Sequence, residues 1–209
     1  MRFGALIFLS VGVFLILQII LPVISFQLWA IGQEYNNRDL VSPSKSTGKV
    51  LGVSVKDKNN FPAFISNLER RERPGYNQFL ITIPRLKIEK KAVFVDSNDL
   101  SVGLVQLPGS AMPGEKGNLF VSGHSAFSKF IPGQNAVFAK LTDIKKDDEV
   151  LIEAAESRFV YKIMAIKIVD PSDLSVIAPP DDQGRYISLM TCVPPGLNYK
   201  RLVVLGKII

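Results

Sequence analysis

Apolar residues dominate the start of the chain. Residues 3–33 carry no charged side chain, and residues 3–31 consist mostly of Leu, Ile, Val and Phe. About 20 apolar residues in a helix cross a bilayer core of about 30 Å, so this stretch is long enough to span a membrane. A cleaved signal peptide is the less favoured alternative, because no small-x-small cleavage site follows the apolar run. We therefore expect residues 1–33 to form an uncleaved transmembrane signal anchor.

The following stretch, residues 34–76, is polar and rich in Asn, Ser and Pro, which is typical of a linker. Residues 49–55 are a candidate short strand within it. Apolar residues then recur at helical spacing behind Pro62, namely Phe61, Phe64, Ile65 and Leu68. Because proline suits the first turn of a helix, this spacing predicts a short helix over residues 62–71.

From residue 77 onward the pattern changes to short apolar or alternating runs, separated by Pro, Gly, Asn and Asp. The runs predict strands at 79–83, 92–95, 119–122, 149–154, 158–169, 186–191 and 201–208. So many short strands without βαβ alternation indicate a mainly β domain over residues 77–209, either a barrel or a sandwich. No Gly-rich phosphate loop follows a strand, which argues against a nucleotide-binding α/β fold.

Composition restricts the chemistry that is available. The 209 residues include one Cys and one His, which excludes an intrachain disulfide, a Cys-rich metal site and a multi-His metal site. The net charge of +6 arises from 25 basic and 19 acidic residues. Because the two signs are interspersed, as at 69–73 and 145–149, we interpret them as solvated faces and expect neither a nucleic-acid partner nor a metal site.

Three residues at the ends of predicted strands are candidates for catalysis. Cys192 ends an apolar run just before a Pro-Pro-Gly segment, His124 follows a strand and a Gly, and Arg201 opens the last strand. A thiol beside cations ionises to the nucleophilic thiolate, a histidine can protonate a leaving amine, and a guanidinium can stabilise an oxyanion. The short loop between the last two strands predicts that they pair, which would bring Arg201 near Cys192. The set fits acyl transfer through a thioester, although each residue alone could be structural.

The same residues belong to an ordered set of motifs. Residues 81–88 read Ile-Thr-Ile-Pro-Arg-Leu-Lys-Ile, residues 113–118 read Pro-Gly-Glu-Lys-Gly-Asn, residues 121–124 read Val-Ser-Gly-His, and residues 189–192 read Leu-Met-Thr-Cys. From about residue 78 to residue 209 the chain resembles the sortases, the membrane-anchored cysteine transpeptidases of the bacterial cell surface. Its Cys-x-Pro-Pro-Gly run is closest to the small, housekeeping-like classes. The resemblance implies a closed eight-stranded β-barrel with short helices, preceded by one transmembrane helix.

The resemblance also implies roles for the candidate residues. Cys192 would attack the Thr–Gly carbonyl of an LPxTG-like sorting signal on a surface protein, His124 would protonate the departing amine, and Arg201 would orient the substrate and support the oxyanion. A primary amine on a peptidoglycan precursor or on a protein subunit would accept the acyl group. No cofactor is implied. The catalytic domain would lie outside the cytoplasm, attached to the bacterial cell membrane.

Further residues are expected to contact the substrate. Thr191 would help to shape the site. The loop of residues 171–185 lies where the family has its recognition loop, and its apolar residues Val176, Ile177 and Pro179 could line a groove for the Leu and Pro of the signal. Ordinary loop packing is the alternative for these three.

Two other functions remain open at this point. In the L,D-transpeptidases of peptidoglycan cross-linking, the resembling motif places Cys and Arg two residues apart, whereas Arg201 follows Cys192 by nine residues here. A non-enzymatic, membrane-anchored β-barrel adaptor would have a structural Cys and His. An inert buried thiol should resist alkylation in the folded protein, whereas a catalytic one should react.

Overall fold

The computed structural model describes residues 2–36, 53–58, 61–68, 74–125, 136–195 and 199–209 of a chain that forms two compact units, Met1–Asp39 and Leu40–Ile209. The first unit contains the helix α1, Arg2–Asn36. Within the described ranges, no helix combines the length and apolarity that crossing a bilayer requires. The transmembrane span therefore stays a prediction from the sequence.

The second unit is built on a closed barrel of eight strands, which confirms the mainly β prediction. Strands β1 and β2 form a separate antiparallel pair, and the barrel order is β10-β8-β7-β3-β4-β5-β6-β9. Neighbours in the barrel are antiparallel except for two parallel pairs, β4 with β5 and β6 with β9. The strands are β1 Val53–Lys58, β2 Phe61–Ser66, β3 Gln78–Ile83, β4 Ile88–Phe94, β5 Leu104–Gln106, β6 Gly117–Ser122, β7 Glu149–Ala154, β8 Ser157–Val169, β9 Arg185–Val193 and β10 Lys200–Ile208.

Alternation along the strands fills the barrel with apolar side chains. In β3, for example, Phe79, Ile81 and Ile83 are buried while the residues between them are partly exposed. Strand β6 departs from this pattern, because Asn118 and every following residue of the strand are buried. A strand that is buried on both faces must be covered on its outer side as well. The cover comes from the β1–β2 hairpin and from a 3₁₀ turn at Leu174–Ile177.

The prediction of a short helix over residues 62–71 is wrong. Residues Phe61–Ser66 form β2, which pairs with β1 from Val53↔Ser66 to Lys58↔Phe61. The apolar spacing fits a helix, but pairing with β1 supplies the backbone hydrogen bonds of a strand. In this strand the side chain of Phe64 packs in an apolar cluster. Pro62 is compatible with this arrangement because β2 lies in a two-stranded sheet, where one side of each strand needs no ladder partner. Residues 69–71 lie outside the described residues.

Candidate active site

Cys192 and Arg201 are direct neighbours on adjacent strands. In the antiparallel pairing of β9 with β10, the Cα of Arg201 lies opposite that of Cys192. Partners in such a pair present their side chains on the same face, with Cβ atoms about 4.5–5.5 Å apart. Cys192 is half-buried, whereas Arg201 is only 1% exposed and donates from Nη1 to the Lys200 carbonyl at 3.1 Å. The pairing of β9 with β10 therefore brings the thiol and the guanidinium together, as the sequence predicts.

The parallel pairing of β6 with β9 brings His124 to the same place. Ser122 lies opposite Met190, and the Gly123 amide donates to the Met190 carbonyl at 3.1 Å, so the ladder continues past the end of β6. His124 stands two residues after Ser122, and Cys192 stands two residues after Met190, so a register that continued past the end of β6 would set the two residues side by side. His124 is 8% exposed, and its carbonyl accepts from the Phe138 amide at 3.1 Å.

Gly123 and Thr191 hold the segment that carries His124. A Cβ at Gly123 would lie 2.5 Å from a Leu104 methyl carbon and 2.8 Å from the Phe138 ring, so the close approach requires glycine. The Thr191 hydroxyl donates to the Gly123 carbonyl at 2.8 Å, in a buried bond. Thr191, the residue before Cys192, is thus bonded directly to Gly123, the residue before His124. The sequence predicts that Thr191 shapes the site, and this bond shows a physical means by which it would do so.

Burial sets the protonation states of the two reactive groups. It lowers the pKa of His124, which favours the neutral imidazole. It raises the pKa of the Cys192 thiol, an effect that the charge of Arg201 partly offsets. Both shifts favour the neutral pair, in which the proton is on sulfur. Formation of a thiolate requires a base near the sulfur, and His124 is the candidate, because it follows the strand that pairs with β9.

Alkylation of Cys192 is expected to rise with pH along a curve whose midpoint lies above the value of about 8.5 for a free cysteine. The sign follows from burial, which disfavours the thiolate and so raises the pKa of the Cys192 thiol. Because the chain has one Cys, intact-mass measurement of iodoacetamide addition between pH 6 and 10 reports on this residue alone. A midpoint below that of free cysteine would contradict the assignment of burial as the dominant effect.

The loop of residues 171–185 contains a 3₁₀ turn, Leu174–Ile177, whose Val176 and Ile177 are held by Asn118 of β6. The Asn118 side-chain amide donates to the Ile177 carbonyl at 3.0 Å and to the Val176 carbonyl at 3.3 Å. Asn118 is 4% exposed. Asn118 belongs to the Pro-Gly-Glu-Lys-Gly-Asn motif of residues 113–118, from which no role for its side chain is predicted. A buried amide that faces two carbonyls fixes the position of the turn relative to β6.

The apolar members of this loop differ in their surroundings. Ile177 belongs to a buried cluster with Phe120, Met190 and Val203, and Val176 packs against that cluster. Pro179 is half-buried and lies outside the cluster. Val176 and Ile177 are therefore placed along the strands that lead to the reactive residues.

Comparison with known proteins agrees with this geometry. The family model for the sortase domain matches residues 81–209. Sortase D of Bacillus subtilis (strain 168) is 30% identical over 137 residues, which cover 64% of this chain and 64% of that protein. The match thus spans less than two thirds of the relative's length.

Solved structures give the same result. Sortase A of Corynebacterium diphtheriae, in a lid mutant, is similar with a TM-score of 0.57 and 30% identity, over 67% of this chain and 73% of that one. The sortase D5 transpeptidase of Clostridium perfringens is similar with a TM-score of 0.56 and 25% identity, over 66% and 81% respectively. Because the family model covers more than half of the chain, and because its range includes the paired strands that carry Cys192 and Arg201 and the strand that precedes His124, the chain belongs to the sortase family.

Proposed function

We propose that the barrel is a cysteine transpeptidase that cleaves an LPxTG-like sorting signal between Thr and Gly and transfers the acyl group to a primary amine. The observation that carries this proposal is the register of β6, β9 and β10: Arg201 lies opposite Cys192 on one side of β9, and β6, which leads into His124, pairs with β9 on the other side. A nucleophile flanked by a base and by a fixed cation matches the requirements of acyl transfer. The family supports the same reaction class.

Acylation begins with transfer of the thiol proton from Cys192 to His124. The thiolate attacks the Thr carbonyl carbon, and the carbonyl electron pair moves to oxygen, where the guanidinium of Arg201 stabilises the negative charge. The imidazolium of His124 then donates its proton to the Gly nitrogen as the C–N bond breaks. The products are a thioester on Cys192 and a free amino-terminal glycine fragment.

Deacylation uses the same groups in reverse. A primary amine attacks the thioester carbon, its proton passes to His124, and the Cys192 thiolate leaves as the new amide bond forms. The thiolate then recovers the proton from the imidazolium. Water in place of the amine would give hydrolysis, so exclusion of water from the site determines the ratio of transfer to hydrolysis.

Product analysis tests the proposed reaction. The full chain in detergent is incubated with an LPxTG-like peptide, with and without a triglycine acceptor, and the products are identified by mass spectrometry. We expect a ligated peptide joined through Thr when the acceptor is present, and no such product from a peptide in which the Thr and Gly are exchanged. Failure of several LPxTG-like peptides to give either ligation or cleavage at Thr–Gly would contradict the proposal.

Arg201→Lys is expected to lower the transpeptidation rate by about 10²–10³-fold although it retains the positive charge. Arg201 is almost fully buried opposite Cys192, and lysine cannot reproduce the planar fork of donors that can hold a carbonyl and a backbone group together. Loss of one oxyanion donor costs on the order of 3–4 kcal/mol in other acyl-transfer enzymes, which gives this magnitude. The measurement is kcat/KM with the same peptide, and circular dichroism verifies the fold. A folded variant with nearly full activity would show that Arg201 has no catalytic role.

The proposed substrates place the protein at the bacterial cell surface. Its donors would be surface proteins with LPxTG-like signals, and its acceptors would be amines of peptidoglycan precursors or protein subunits. Single-pass attachment to the cell membrane is proposed from the uncharged residues 3–33 alone. Membrane fractionation of the full chain and of a variant that lacks residues 2–33 tests it; equal distribution of both would contradict the attachment.

A further inference from the structure

A groove lies between the start of β4 and the segment of residues 136–140, which we call the lysine groove. It has a volume of about 410 Å³ and is lined by apolar side chains and three lysines, namely Leu86, Lys87, Ile88, Lys91, Ala136, Val137, Ala139 and Lys140. Leu86 and Ile88 are each 7% exposed, whereas the three lysines are exposed. A space of several hundred Å³ with an apolar lining and a few polar groups is typical of a small-ligand site.

The lysines of the groove have no compensating acid. In the part of the chain that the structure describes, no carboxylate forms an ion pair with Lys87, Lys91 or Lys140. By contrast, Lys90, the neighbour of Lys91, lies 3.2 Å from a carboxylate oxygen of Glu153. Ammonium groups that share a groove without an anion repel one another, and a bound anion would relieve that repulsion.

The residue types favour one kind of anion. A carboxylate is matched best by the planar fork of an arginine, and no arginine is among the described residues that line the groove. A phosphate monoester carries a charge of about −1.5 to −2 and three acceptor oxygens, which three separate ammonium groups can approach from different sides. The apolar lining offers space for an organic group attached to the phosphate. The lysine groove therefore fits an organic phosphate better than a carboxylate.

One side of the groove supports the candidate base. The Phe138 amide donates to the His124 carbonyl at 3.1 Å, and the Phe138 side chain is fully buried. Lys140 belongs to the same segment as Phe138, whereas Lys87 directly precedes β4 and Lys91 lies within it. An anion held by all three lysines would therefore join β4 to the segment that bonds to the backbone of His124.

We propose that the lysine groove binds an organic phosphate, which joins β4 to residues 136–140 through Lys87, Lys91 and Lys140. The phosphate belongs either to a soluble ester or to a lipid head group, which share this chemistry. Its binding stabilises the segment that contacts His124. The inference does not depend on the proposed reaction, because neither Cys192 nor Arg201 is among the residues that line the groove.

Calorimetric titration of the full chain in a non-ionic detergent with phenyl phosphate tests the site. We expect saturable binding that weakens as the NaCl concentration rises, because salt screens exposed charges. Lys87→Gln, Lys91→Gln and Lys140→Gln should each weaken binding by about fivefold or more. Lys90→Gln is the matched control, because it removes the same charge from a residue outside the groove, and its Kd should stay within about twofold of the wild-type value. Absence of saturable binding up to about 10 mM, or an equal effect of Lys90→Gln, would overturn the proposal.

Two further ligands test the chemical class and identify its source. Benzoate carries a carboxylate in place of the phosphate and should bind about tenfold more weakly than phenyl phosphate; equal binding would overturn the assignment to phosphates. Dibutanoyl phosphatidate is a water-soluble mimic of a phospholipid head group. Binding of this compound more tightly than phenyl phosphate supports the site as one for a lipid head group, and weaker binding supports it as one for a soluble ester.

Hydrogen exchange of the full chain tests the link to His124. Saturating phenyl phosphate should slow amide exchange in residues 136–140, including the amide of Phe138 that bonds to His124. Binding of phenyl phosphate without slower exchange in this segment would overturn the inference that the ligand joins the segment to β4.

Discussion

Cys192→Ala is expected to abolish thioester formation and to lower peptide cleavage to background, a loss of roughly 10⁶-fold, as for removal of a catalytic nucleophile elsewhere. The reason is that the chain has one Cys, and that this residue lies opposite Arg201 on a strand that also pairs with β6, the strand before His124. A rate assay with an LPxTG-like peptide measures the loss.

The control for Cys192→Ala is the melting temperature. Cys192 is half-buried at the end of β9, and removal of one sulfur there should change the stability only slightly. A folded Cys192→Ala variant that cleaves the peptide within about tenfold of the wild-type rate would contradict a role of Cys192 as the nucleophile, and would favour the adaptor reading of this site.

His124→Ala is expected to lower kcat/KM by about 10²–10⁴-fold, which is the usual contribution of general acid–base catalysis. The residual activity of the variant should also depend on pH differently from the activity of the wild type. In the wild type, activity requires a group whose pKa burial has lowered, namely His124, together with a thiol whose pKa burial has raised. Without His124, only the rise with increasing pH that reflects ionisation of Cys192 should remain.

His124→Gln provides the control for lost packing, because His124 is buried and alanine leaves a void. Glutamine fills much of the volume but cannot carry the proton. Both variants should therefore be equally inactive, while their alkylation at Cys192 at high pH should match that of the wild type. Substantial activity of folded His124→Gln would mean that His124 has a structural role only.

Much of the barrel can be predicted from the sequence because most of its strands are recognisable from their own residues, as short apolar runs between turn residues. Residues 149–154 form a short apolar-rich run between turn residues, and β7 has the same bounds. The pairing of Cys192 with Arg201 follows from the short Pro- and Gly-containing loop between β9 and β10. The position of His124 is harder to deduce, since it depends on the parallel pairing of strands far apart in sequence.

The parts that the sequence does not predict are those that depend on distant partners. Strand β5, Leu104–Gln106, is too short for an alternating pattern to show. Strand β2 has helical apolar spacing and becomes a strand only through β1 and the apolar cluster. Asn118 belongs to a recognisable motif, but its hydrogen bonds to the carbonyls of residues 176 and 177 exist only because that distant segment lies against β6 in the folded chain.

Thioester formation on Cys192 can be measured by intact-mass spectrometry of the full chain, after it is mixed with an LPxTG-like peptide in the absence of an amine acceptor and quenched in acid. We expect a covalent adduct with the mass of the peptide fragment that ends at Thr, mapped to Cys192 and released by hydroxylamine as expected for a thioester. Cleavage of the peptide at Thr–Gly with the adduct on another residue, or by a Cys192→Ala variant, would contradict it.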